Sequence, residues 1–109
     1  MQQCIEGDIL VVMTTVASTA QAQALAREVL AARLAACVQL EGGLTSFYRW
    51  EGRLCEEPEV RLVIKTLPQH ESALQKLFTA QHPYELPQFA VMRMKASDAY
   101  FEWVRTEVT

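Results

Sequence analysis

Residues 46–66 read Ser46-Phe47-Tyr48-Arg49-Trp50-Glu51-Gly52-Arg53-Leu54-Cys55-Glu56-Glu57-Pro58-Glu59-Val60-Arg61-Leu62-Val63-Ile64-Lys65-Thr66. This stretch is a β-hairpin. Glu51-Gly52 fits the centre of a two-residue turn, a weaker signal than Asn-Gly. Before the turn, alternation sets Phe47 and Arg49 on one strand face and Tyr48 and Trp50 on the other. After it, a strand begins at Arg53-Leu54-Cys55. Val60, Leu62 and Ile64 then alternate with Arg61, Val63 and Lys65. Pro58 cannot donate to a ladder, which predicts an edge or a bulge there.

Toward the N-terminus, Cys37-Val38-Gln39-Leu40 begins the first arm of that hairpin, and Gly42-Gly43 predicts a bulge or bend within it. Ser18-x-x-Gln21 is a capping-box signature. Ala22, Leu25, Ala26 and Val29 follow at helical spacing, and the helix fades near Leu34–Ala36. Ile9–Val16 is short, β-branched and apolar at almost every position, as in a strand covered on both faces. Toward the C-terminus, Pro68 opens a second helix with Ala73, Leu74, Leu77 and Phe78 as its stripe. His82-Pro83 ends it. Tyr84 to Pro87 is a loop, and Phe89–Met94 is a last strand. Ser97 caps a final helix carrying Tyr100, Trp103 and Val104 on one face.

Strand, helix, strand, strand, helix, strand is the split βαβ, ferredoxin-like order of an α+β sandwich, here with an extra C-terminal helix. Two helices cover one face of a four-stranded sheet. Yet Ile9–Met13 is apolar on both faces, and Val63, Val91 and residues 36–40 add to the second. A chain of 109 residues has little left to cover it. The pattern therefore predicts burial against other copies, with the hairpin around Trp50 adding strands to a neighbour's sheet.

The length suits one domain, residues 1–109, with a core at about 9–104 and residues 1–8 as a flexible tail. No run approaches the ~18 apolar residues of a membrane span. The N-terminus lacks the basic and apolar regions of a secretory signal, so the expected compartment is the cytoplasm. Net charge is −3 with no Lys/Arg cluster, which argues against a nucleic-acid partner. The cysteines, Cys4, Cys37 and Cys55, are odd in number and form no CxxC pair. This fits a reducing compartment, not a disulfide framework or a zinc knuckle. Cys37 reads as a core thiol, Cys55 as an exposed weak ligand or oxidation site, and Cys4 as part of the tail. There is no nucleophile elbow, P-loop or HExxH helix, so no catalytic residue is assigned.

Four segments then carry a resemblance. Leu34-Ala35-Ala36-Cys37-Val38, Ser46-Phe47-Tyr48-Arg49-Trp50-Glu51-Gly52, Glu59 with Lys65-Thr66, and His82-Pro83-Tyr84-Glu85-Leu86-Pro87 resemble, in order and spacing, the motifs of the CutA divalent-cation-tolerance family. The resemblance covers roughly residues 9–104. It implies a homotrimer of ferredoxin-like subunits, an architecture shared with PII-type signalling proteins, whose ligands sit between subunits, and an association with tolerance of copper and other divalent metals. The function expected is a copper-binding trimer, with a PII-like small-molecule sensor or a structural scaffold as the alternatives.

The resemblance also implies candidate sites. His82 is a possible copper ligand in a solvent-facing loop, or else a loop histidine bonded to backbone that organises the turn. Thr14 stands where some members of the family have cysteine, and Gln81 where some have a second histidine. Both replacements remove strong copper donors. Trp50, Glu59, Lys65 and Tyr84 match family positions. They would line an interface pocket for a small anion or metabolite if they converge between subunits, or form a salt bridge with aromatic packing. Glu56, Glu57 and Glu59 read either as a solvated edge or as partners for Lys65 or Arg61. Phe47, Tyr48 and Trp50 read first as trimer contacts.

Overall fold

The computed structural model describes residues 7–108. Residues 1–6 of the expected tail, with Cys4, lie outside the described residues. The elements run β1 (Asp8–Val16), α1 (Thr19–Ala31), β2 (Cys37–Trp50), β3 (Arg53–Thr66), α2 (Glu71–Gln81), β4 (Ala90–Lys95) and α3 (Asp98–Glu107). The strands form one antiparallel sheet in the order β2-β3-β1-β4, the ferredoxin-like arrangement with α3 added.

Local chemistry fixes most boundaries. Ser18 caps α1, its Oγ accepting from the Gln21 N–H at 3.2 Å, while Gln21 Oε1 accepts from the Ala17 N–H at 3.1 Å. The helix ends in two bonds of the Schellman type, Arg33 N–H to Leu30 C=O and Leu34 N–H to Val29 C=O. Arg33 takes the left-handed position, φ 58°, that glycine usually fills. Pro68 opens a single 3₁₀ turn, Pro68–His70, rather than α2 itself, which starts at Glu71. Ser97 caps α3 by accepting from the Tyr100 N–H at 3.2 Å.

β1 lies between β3 and β4 and packs on both faces, which is why it is apolar from Ile9 to Met13. Leu10, Val12 and Val16 pack with Leu62, Ile64, Leu25, Val29, Leu74 and Phe78 under α1 and α2. Ile9 and Val11 pack on the opposite face with Leu67, Val104 and Val108. The sequence pattern assigns that second face to other copies; in the structure α3 covers part of it within the chain. Its cover is incomplete. Met13 and Val63 stay half-buried, and Met92 and Met94 on the β4 edge are exposed.

The hairpin is long. β3 pairs with β1 only over residues 60–66, so residues 53–59 have β2 as their one sheet neighbour. Pro58 sits in that edge portion, as its missing N–H requires. The hairpin tip carries positive φ at Glu51 (52°) and Gly52 (79°), the signature of a type I′ turn. The projection makes the chain elongated. Its extents are 51 × 25 × 24 Å and its radius of gyration is 15.0 Å, against about 13 Å for a compact chain of this length. Among the described residues no helix is long and apolar enough to cross a membrane.

Candidate functional site

The site begins with a bulge. Glu41 opposes Arg61, but Leu44 opposes Glu59, so one extra residue enters β2 at Gly42-Gly43, where Gly43 has φ 75°. A one-residue slip moves every later side chain to the other face. It therefore brings Ser46, Tyr48 and Trp50 onto the face of β3 that carries Glu59.

Glu59 is buried, 8% exposed. Its Oε1 accepts from the Ser46 hydroxyl at 2.5 Å and its Oε2 from the Tyr84 hydroxyl at 2.6 Å. Among the described residues its carboxylate has no Lys or Arg in ion-pair range. Burial, followed by the bond to Glu59, pushes the Tyr84 phenol well above its ordinary value. Tyr48 is also raised, by desolvation and then by Cys55, Glu57 and Glu59. Around this carboxylate lies a cleft of about 860 Å³ between the hairpin and residues 83–88. Phe47, Tyr48, Trp50 and Tyr84 supply its aromatic lining.

The loop that delivers Tyr84 is anchored by His82. Its imidazole is 8% exposed, buried and not solvent-facing, because Thr14 and the rings of Phe78 and Tyr84 enclose it. Nδ1 accepts from the Tyr84 N–H at 3.1 Å, which assigns the proton to Nε2, 2.9 Å from Thr14 Oγ1. Desolvation lowers the His82 pKa, with Thr15 and Glu59 opposing it more weakly. Both ring nitrogens are thus engaged. A metal at either would have to displace a hydrogen bond.

Of the other expected residues, Thr14 does meet His82, and Gln81 is exposed at the end of α2. Among the described residues no group of three His, Cys, Asp or Glu side chains is placed to hold a metal ion. Within the chain Trp50, Glu59 and Tyr84 line the cleft and Lys65 does not. It lies six residues along β3 from Glu59, about 20 Å away at strand rise. Its Nζ sits 6.0 Å from the Tyr100 ring centroid. Arg61 pairs with Glu41 at 3.2 Å, not with the acidic run, of which Glu56 and Glu57 are exposed. Cys37 and Cys55 are half-buried free thiols. Ser46 escaped the sequence reading as a site residue. Its signal was the bulge: only with the register slip counted does Ser46 face Glu59.

A family model for the CutA1 divalent ion tolerance protein matches residues 10–107. The divalent-cation tolerance protein CutA of Citrobacter koseri is 39% identical over 102 residues, covering 93% of this chain and 89% of that one. The structure of CutA from Synechococcus elongatus superposes with a TM-score of 0.88 at 38% identity, covering 94% of this chain and 92% of that one. The structure described as the periplasmic divalent cation tolerance protein CutA of Archaeoglobus fulgidus has a TM-score of 0.89, covering 93% of this chain and 99% of that one. At 24% identity it shares the fold alone. The α+β sandwich with one antiparallel sheet and three helices, the match over residues 10–107 and the identity of nearly two residues in five agree: this chain belongs to the CutA1 divalent ion tolerance protein family, a family of tolerance proteins and not of enzymes.

Proposed function

We propose that this chain serves divalent-cation tolerance as a cytoplasmic homotrimer that responds to a small molecule held in the cleft between the hairpin and the 83–88 loop. One observation carries the reading. A buried carboxylate, Glu59, is oriented by two hydroxyls at a wide aromatic cleft and has no charge partner of its own among the described residues. Preorganised polar groups in an otherwise apolar concavity are how small-molecule sites are built. The trimer draws support from the large apolar side chains left exposed: Phe47 at 68%, Leu54 at 74% and the β4 methionines. That much apolar surface on a projecting hairpin and an open edge strand suits contact between copies.

The test is a thermal-shift screen of small metabolites against the full chain and against Tyr48→Leu. The expected result is at least one compound that raises Tm for the natural chain and not for the variant. A screen in which no compound does so overturns the reading.

Copper binding at His82 is the second reading. It is favoured by the 2.9 Å contact between Thr14 and His82, two of the three positions matching family ligands. Its donor set is poor, one imidazole and one hydroxyl, with a third candidate, Gln81, exposed at the helix end.

A further inference from the structure

The charge of the cleft decides what enters it. Its charged lining residues are Glu59 and Glu85, both carboxylates. The hydroxyls of Ser46 and Tyr84 fix the Glu59 oxygens but bring no positive charge. A carboxylate this buried is electrostatically incomplete until a cation arrives. The rings of Tyr48, Trp50 and Tyr84 in its lining add a second preference of the same sign, since a ring face attracts a cation. The raised phenols of Tyr48 and Tyr84 owe part of their shift to Glu57 and Glu59, consistent with a negative field. Within the chain an anion would meet that field unaided, because Lys65 lies at the other end of β3. A bare metal ion wants several strong donors, and no such group is present among the described residues. The volume of about 860 Å³ suits a metabolite rather than a lone ion.

We infer that the cleft is a receptor for a small organic cation, an ammonium or guanidinium group seated on the Glu59 carboxylate between aromatic walls. The inference rests on the reading of the cleft as a ligand site and names the class of ligand.

Three probes of similar size test it by calorimetric titration of the full chain: choline, its neutral isostere 3,3-dimethylbutan-1-ol, and the anion 3,3-dimethylbutanoate. Choline is expected to bind roughly ten-fold or more tightly than the neutral analogue. Glu59→Gln should erase that difference. Tyr48→Leu, at a side chain 40% exposed, should weaken choline by roughly ten-fold with the fold intact. It keeps the test decisive if Glu59→Gln fails to fold. Equal binding of the neutral analogue, or tighter binding of the anion, overturns the cation inference while leaving the cleft a ligand site. Failure of choline alongside a metabolite screen whose hits are all neutral or anionic does the same. Failure of all probes together with an empty screen overturns both, and would mark the cleft as filled by a neighbouring chain.

Discussion

β3 has two halves with opposite duties. Residues 60–66 are flanked by β1 and β2, and Val60, Leu62, Ile64 and Thr66 are buried. Residues 53–59 have one neighbour and carry Leu54 at 74% exposure, with Glu59 as their one buried side chain. The inner half holds the subunit together. The outer half does little for the single chain: it leaves Leu54 exposed, and the β2 arm it pairs with leaves Phe47, Tyr48 and Trp50 exposed beside it. On the proposed function, stability and recognition are separated along one strand by the point where β1 ends.

The largest effect should come from the inner half. Leu62→Ala removes a side chain with no exposed surface and should cost about 2–5 kcal/mol in urea unfolding. That loss should be the same at every protein concentration. Leu54→Ser should act only through association, so any stability loss should grow on dilution, and light scattering should show the molar mass falling from three chains to one. A concentration-independent loss for Leu54→Ser would erase the distinction between the halves.

His82→Ala comes next, at about 2–4 kcal/mol, because it leaves the Thr14 hydroxyl and the Tyr84 N–H without their buried partner. It should also detach Tyr84 from Glu59 and loosen the cleft from a distance. The pH dependence follows from the same group. Its folded pKa lies below the ordinary 6.5, so between the two values the unfolded chain binds more protons. Stability should be complete above about pH 6.5 and fall as pH drops below it. His82→Gln should flatten that slope; an unchanged slope would assign it to another group.

The smallest effect concerns the turn. Glu51 holds φ 52°, a left-handed conformation that asparagine accepts more readily. Glu51→Asn should stabilise by about 0.5–1 kcal/mol, read as a higher urea midpoint with an unchanged slope. A neutral result would mean that the turn is not strained.

The fold was largely legible because its signals are local. The Ser18 and Ser97 caps, the Glu51-Gly52 turn, the break at His82-Pro83 and the alternation through Val60, Leu62 and Ile64 each act within a few residues. The cover of Ile9 and Val11 was less legible, since amphipathic spacing around Val104 does not say which sheet face α3 will choose. The site was legible as a set of positions but not as a geometry. Trp50, Glu59 and Tyr84 do converge, yet Lys65 shares the face of Glu59 without being near it. His82 read as solvent-facing because a proline-bounded loop usually is. Its burial depends on Thr14, 68 residues earlier in the chain. Ser46 depends on a register slip whose parity the Gly42-Gly43 pair announces only as a bulge or bend.

On the proposed function, His82 organises the loop while Glu59 serves the ligand. Native mass spectrometry of the full chain, titrated with copper(II) in competition with glycine, tests it most directly. The expected result is a three-chain assembly whose copper retention is the same in the natural protein and in His82→Ala. Three coppers taken up with clear saturation, and lost in His82→Ala, would contradict it and return the metal site to His82.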